Sequence, residues 1–134
     1  MTLQIRVIAP DQIVWDANAE EIILPSSTGQ LGILTGHIPL LTALDVGVMR
    51  VKINNEWQPI VLLGGFAEVD NNNITILVNG AETIEEIDTN KVQDNLQKAT
   101  QILAEAKTNK DKIEATQELR KARARIQAVN VLNK

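Results

Sequence analysis

Cysteine and tyrosine are absent from this 134-residue chain, and its only aromatic rings are Trp15, Trp57 and Phe66. Without cysteine there is no disulfide, no thiolate metal site and no cysteine nucleophile. So few rings leave no platform on which successive bases of a single strand could stack, and they require an aliphatic core. No apolar run approaches the roughly eighteen residues that a membrane-spanning helix needs, and Met1-Thr2-Leu3-Gln4-Ile5-Arg6 lacks the apolar region of a signal peptide. A soluble or peripheral protein is expected. His37 is the sole histidine, and Gly36-His37-Ile38-Pro39 has no ligand spacing such as His-x-x-x-His. It reads as a loop histidine satisfied by backbone or packed at a partner surface, not as a metal or catalytic group. Gly64-Gly65 lacks the surroundings of a phosphate-binding loop and reads as a strand bend or bulge.

What is present falls into two periodicities. Leu3, Ile5, Val7 and Ala9 alternate with Gln4 and Arg6; Val46, Val48, Val51 and Ile53 lead through Asn54-Asn55 to Trp57, a packing residue, and Ile60 to Leu63. Asn71-Asn72-Asn73 likewise separates Phe66 to Val69 from Ile74, Ile76 and Val78. About eight to ten short strands are expected, forming an antiparallel β-sandwich or flattened barrel over 1–84. The run Ser26-Ser-Thr-Gly-Gln-Leu-Gly-Ile-Leu-Thr-Gly-His-Ile-Pro-Leu-Leu-Thr42 suits this, with Gly29, Gly32 and Gly36 expected at positive φ or close backbone approach and Pro39 unable to donate to a ladder. Residues 80–88 are acidic and break the strand pattern, as a hinge would.

From Asp88 the period becomes helical. Val92, Leu96, Ala99, Leu103 and Ala106 step by three and four, and after a polar break at Thr108-Asn109-Lys110 so do Ala115, Leu119, Ala122, Ile126 and Val129. Two helices over 88–134 are expected to pack on each other as an antiparallel hairpin, the first capped by Asp88 and the second by Asp111 with Glu114. The fold class is therefore α+β. Alanine at alternate seam positions buries little area, so the hairpin is expected to be able to open.

Charge is divided between the two parts. Residues 1–88 carry twelve carboxylates against Arg6, Arg50 and Lys52, whereas residues 89–134 carry ten Lys and Arg against five carboxylates. The cluster Arg120, Lys121, Arg123 and Arg125 follows Glu118 with no further acid. On a helix Lys121 and Arg125 flank one side of the Leu119/Ile126 seam and Arg120 and Arg123 the other. Such residues form a solvated face or meet an acidic partner; duplex nucleic acid would be repelled by the acidic remainder.

The Ser26 to Thr42 run, the later Gly64-Gly65-Phe66-Ala67-Glu68-Val69 and the Ala-rich C-terminal pair together resemble the epsilon subunit of rotary F-type ATP synthases over nearly the whole chain. That resemblance implies a noncatalytic central-stalk subunit of a proton-translocating synthase. Its sandwich would couple the gamma subunit to the membrane rotor ring of c subunits, and its helical hairpin would inhibit ATP hydrolysis. It implies that the loop holding His37, with Gln30 where many relatives carry an acid, lies at the end of the sandwich that meets the ring. It also implies that Arg120, Lys121, Arg123 and Arg125 meet an acidic segment of the catalytic beta subunit when the second helix extends.

Some bacterial relatives bind ATP on the hairpin through Ile-Asp-x-x-Arg-Ala and arginines of the second helix. Ile87, Asp88 and Arg125 match, but Lys91, Val92 and Lys121 depart, and an ammonium does not reproduce bidentate phosphate recognition. ATP binding is expected to be weak or absent, and no cofactor is expected. Met1-Thr2-Leu3, Ile13-Val14-Trp15-Asp16 and Ala128-Val129-Asn130-Val131 are similar to chloroplast and cyanobacterial forms. The implied location is peripheral, on the stromal or cytoplasmic side of the thylakoid membrane, or on the plasma membrane in a non-photosynthetic bacterium. No transit peptide is seen, as expected of a plastid-encoded or bacterial chain. The alternative is a free-standing β-sandwich binding module whose basic hairpin docks an acidic protein or nucleic acid. An enzyme ranks third, because no constellation of nucleophile, base and oxyanion donors is visible.

Overall fold

The alternating residues of the first half form eight strands in a computed structural model that describes residues 2–132; Met1 lies outside the described residues. The strands are β1 (Leu3–Ala9), β2 (Gln12–Ala19), β3 (Glu21–Ser26), β4 (Gly29–Leu34), β5 (Leu40–Ile53), β6 (Glu56–Asp70), β7 (Asn73–Val78) and β8 (Ala81–Thr83). A single 3₁₀ turn, Ile84–Glu86, leads to helices α1 (Val92–Glu105) and α2 (Asn109–Leu132). The strands follow the order β2-β1-β7-β6-β5-β3-β4, with β8 beside β6. All described pairings are antiparallel except β1 with β7, which run parallel.

The two asparagine-rich turns form as their sequences require. Asn54 and Asn55 have φ of 51° and 67°, and Asn71 and Asn72 have φ of 50° and 64°. Paired positive φ values match the right-handed twist of a two-residue hairpin, and asparagine tolerates them better than most side chains. The strands they join are longer than the short-strand pattern suggests. β5 and β6 pair without a register shift from Leu40↔Val69 to Ile53↔Glu56, interrupted only opposite Asp45.

Along this ribbon β6 changes neighbour, from β8 at Ile60–Leu62 to β7 at Gly65–Asp70. Gly64 and Gly65, with φ of 89° and 149°, lie at the change. The register is conserved across them, so the pair makes a bend and not a bulge. A Cβ on Gly65 would stand 2.0 Å from the Leu77 carbonyl oxygen, a distance no side chain survives.

The inward faces meet in an aliphatic core that includes Leu3, Ile5, Ile22, Leu24, Met49 and Ile76, each at 0% exposure. Full burial of each such side chain contributes roughly 1.5–3 kcal/mol. Pro59 to Leu62, by contrast, are four consecutive buried residues, which means that β6 is covered on both faces there. The second cover is α2.

The helices depart from their expected arrangement in three respects. Asp88 does not cap α1: its carboxylate accepts from the Asn90 amide within the preceding turn, and Lys91 occupies the N-cap without a side-chain bond. The start of α2 belongs to Thr108, whose hydroxyl accepts from the Asp111 amide at 3.1 Å, so Asp111 is the third residue of the helix and not its cap. Finally, α2 packs on the body of α1 only as far as Ala122, through Leu119 and Ala122 against Leu96, Ala99 and Leu103, with Ala115 buried one turn earlier. Past Ala122 the 24-residue α2 outruns the 14-residue α1. Its Ala124, Ala128 and Val129 pack instead on Val46, Val48, Val61 and Leu63 of the sheet, together with Ile84, Ile87 and Val92.

Candidate functional site

Among the described residues no helix is long and apolar enough to cross a membrane, and no group of three or more His, Asp or Glu side chains is placed to hold a metal. The sheet offers two outward faces of different character. One is covered by α2. The other, across β2-β1-β7-β6-β5, is bare.

On the bare face the register aligns one residue from each of five strands: Ile13 with Ile8, Ile8 with Leu77, Leu77 with Phe66, and Phe66 with Ala43. Register partners point to the same side of a sheet, so these five side chains form a continuous apolar row. Phe66, Ile13 and Leu77 are 57%, 57% and 52% exposed. Single exposed hydrophobics are ordinary, but a row of five across the width of a sheet marks a contact surface. The neighbouring row, Glu68-Thr75-Arg6-Asp16, is polar, with Arg6 3.6 Å from Asp16.

On the covered face the decisive contact is ionic. The Arg125 guanidinium donates from Nε to Glu82 Oε1 at 2.7 Å and from Nη2 to Oε2 at 2.8 Å, tying α2 to β8 across 43 residues of sequence. Both side chains are about three-quarters buried. The Arg125 hydrogen bond holds the Glu82 carboxyl below its ordinary range, overcoming the opposing effect of burial, with the charges of Arg125 and Lys121 helping. The same bond raises the guanidinium further. Two parallel charge-assisted bonds in fork geometry are the strongest polar arrangement these groups make.

The four cations of the basic cluster are therefore not equivalent. Arg125 is engaged by Glu82, and Lys121 lies 3.3 Å from Glu118 on its own helix. Arg120 and Arg123 are exposed. Arg120 overlooks a groove of about 550 Å³ at the sheet bend, beside Gly64, Gly65, Phe66 and Leu77. Ile87, Asp88 and Arg125 do come together, in a cleft of about 290 Å³ with Glu82, Glu86, Val92 and Asn95. That cleft holds three carboxylates and one guanidinium whose fork is already filled. A polyphosphate would meet net negative charge there.

Gln30 lies near the start of β4 and His37 past its far end. Gln30, the second residue of β4, accepts a 3.2 Å bond from Arg50 and lines a groove with Gln127, Asn130 and Val131 of α2. His37 follows the far end of β4, its Nδ1 2.7 Å from the Ile38 carbonyl oxygen, in a loop tied to the β6–β7 turn by the Gly36 amide donating to Asn72 Oδ1 at 2.7 Å. The backbone-satisfied loop histidine matches the expectation for that residue type.

Sequence reasoning passed over Glu82 and the apolar row. The row did leave a signal, because Leu77 and Phe66 occupy the polar phase of strands whose other phase is core. Glu82 left none, since nothing local tells which of four acids in 82–88 a distant helix will meet.

Two family descriptions match the chain: "ATP synthase, Delta/Epsilon chain, beta-sandwich domain" over residues 2–84 and "ATP synthase, Delta/Epsilon chain, long alpha-helix domain" over residues 85–130. The chain is 73% identical over 132 residues to the ATP synthase epsilon chain, chloroplastic, of Gracilaria tenuistipitata var. liui, covering 98% of each. It is 58% identical over 131 residues to the ATP synthase epsilon chain of Cyanothece sp., covering 96% of this chain and 95% of that one. Its fold is similar to a chain in the Euglena gracilis mitochondrial ATP synthase (OSCP/F1/c-ring), with a TM-score of 0.82 at 21% identity over 96% of this chain and 81% of that chain. A chain in the Tetrahymena thermophila mitochondrial ATP synthase central stalk and c-ring gives 0.65 at 18% identity, covering 96% of each.

Proposed function

The chain belongs to the delta/epsilon chain family of ATP synthase, and from that premise we infer that it is a noncatalytic subunit of the synthase's central stalk, working in a membrane-associated complex. Its sandwich couples the gamma subunit to the membrane rotor ring, and its C-terminal helices restrain ATP hydrolysis. Its nearness to chloroplastic and cyanobacterial relatives supports a place on the stromal or cytoplasmic side of the thylakoid membrane.

The observation that carries the stalk reading is the apolar row Ile13-Ile8-Leu77-Phe66-Ala43 on the uncovered face. Its exposed side chains gain by leaving water, and we assign it to gamma. The His37 loop is the proposed contact with the ring; Gln30, near the other end of β4 and beside Gln127 and Asn130 of α2, does not share the end of the sandwich that the resemblance implies for both, and is left out of that contact. For the brake, Arg120 and Arg123 are exposed, whereas Lys121 and Arg125 must first leave Glu118 and Glu82; an acidic segment of the beta subunit is the proposed acceptor for all four. The filled guanidinium fork and the carboxylate-lined cleft support an absence of useful ATP affinity at Ile87, Asp88 and Arg125.

Exchanging Phe66→Asp together with Leu77→Asp tests the assignment of the row. Both side chains point outward, so the variant is expected to fold. Truncating a central aromatic anchor costs about 2 kcal/mol or more at an interface. Binding of the doubly substituted chain to gamma is expected to weaken at least about thirtyfold in a titration, while circular dichroism stays unchanged. Unaltered affinity would move the gamma contact elsewhere.

A further inference from the structure

Given the braking role proposed above, we propose that Arg125 is a carboxylate-binding site which the chain fills with its own Glu82, so that the helix cannot dock on the sandwich and present this guanidinium to an acidic partner at the same time.

The geometry is specific to a carboxylate. Both oxygens of Glu82 are taken, at 2.7 and 2.8 Å, by the Nε and Nη2 donors that form one edge of the guanidinium. A partner's Asp or Glu seeking bidentate recognition would need that same edge. The pair is also placed where it governs docking. It joins the second half of α2 to β8, next to the apolar contact in which Ala124 and Ala128 sit on Val61. That contact is made largely by alanines and is thin, and so the ionic pair has leverage over it. Lys121, one turn earlier, adds positive charge near Glu82, and Glu118 adds negative charge near Arg125. Glu86 and Asp88 share the cleft and keep its potential negative, which discourages an external carboxylate from entering while α2 is docked. Release therefore has to precede partner binding, and Glu82 competes with the partner for a single group.

The absence of native cysteine permits a direct test with spin labels on Glu56→Cys in the sandwich and Lys112→Cys near the start of α2, both exposed positions. In the full chain, Glu82→Gln removes the charge but keeps the shape. The ratio of docked to undocked distances is expected to fall about tenfold, the scale of a hydrogen-bonded charge. The swap Glu82→Arg with Arg125→Glu should restore it. In the reconstituted complex, Glu82→Gln should inhibit ATP hydrolysis more strongly than the unaltered chain, because Arg125 is freed. An unchanged distance ratio in Glu82→Gln, or one that the swap fails to recover, overturns the self-occupied site. A lowered ratio that the swap recovers, with ATPase rates unmoved, leaves Glu82 as the occupant and overturns the braking role instead.

Discussion

Gly65 and Gly32 show how differently two glycines of one sheet are constrained. A Cβ on Gly65 meets backbone atoms at 2.0 and 2.8 Å and the residue has a φ of 149°, whereas Gly32 has nothing within 4 Å. Gly65→Ala is expected to cost about 3 kcal/mol or more, from overpacking against backbone combined with an unfavourable φ. Gly32→Ala is expected to change stability by no more than about 0.5 kcal/mol. Urea midpoints of the two variants check this, and a Gly65→Ala protein as stable as Gly32→Ala would remove the bend's requirement. The sequence expectation grouped Gly29, Gly32 and Gly36 together. Gly29 and Gly36 do have positive φ, of 124° and 84°, but Gly32 lies in ordinary strand geometry with open space beside it. A glycine announces freedom but not its use; that depends on which backbone passes close by, and the partner strand is not written next to it.

At the scale of elements, the two hairpin turns, the alternating core faces and the existence of both helices were legible because each rests on neighbours in sequence. Where α2 packs was only half legible. The seam Ala115-Leu119-Ala122 was visible, but the shift of later contacts to Ala124 and Ala128 depends on α1 ending first, and on a strand whose buried run, Pro59 to Leu62, reads as core on either face. The correction affects what truncation should do. Residues 2–84 hold the whole of the main core except its helical cover, so a chain ending at Thr83 or Ile84 is expected to fold cooperatively and to bind gamma. It should, however, lose roughly 1–3 kcal/mol, since Val46, Val48, Val61 and Leu63 then face water. Chemical denaturation and a gamma-binding titration provide the check. A noncooperative transition would mean that the helices are part of the sandwich's own core.

For the whole molecule, the Glu82–Arg125 pair sets how docking depends on pH. Glu82 is depressed in the docked state, so its contribution is fully present above the ordinary carboxylate pKa and is lost as pH falls through the lower, docked value. Arg125 is raised from an already high value and does not titrate below strongly alkaline pH. Docking through this pair is thus expected to be flat from about pH 6 to 9 and to weaken only at acid pH. Distance measurements across that range test it, and a transition near pH 7 would require a different controlling group. The row proposed to face gamma and the residues covered by α2 belong to one sheet, and the β5–β6 ribbon runs through both. Because its register is unbroken from Leu40↔Val69 to Ile53↔Glu56 apart from the bend opposite Asp45, the two halves are not separate plates that could slide over each other. In a machine that turns, the consequence is mechanical: a twisting load entering at one half is carried to the other as shear along backbone hydrogen bonds arranged in parallel.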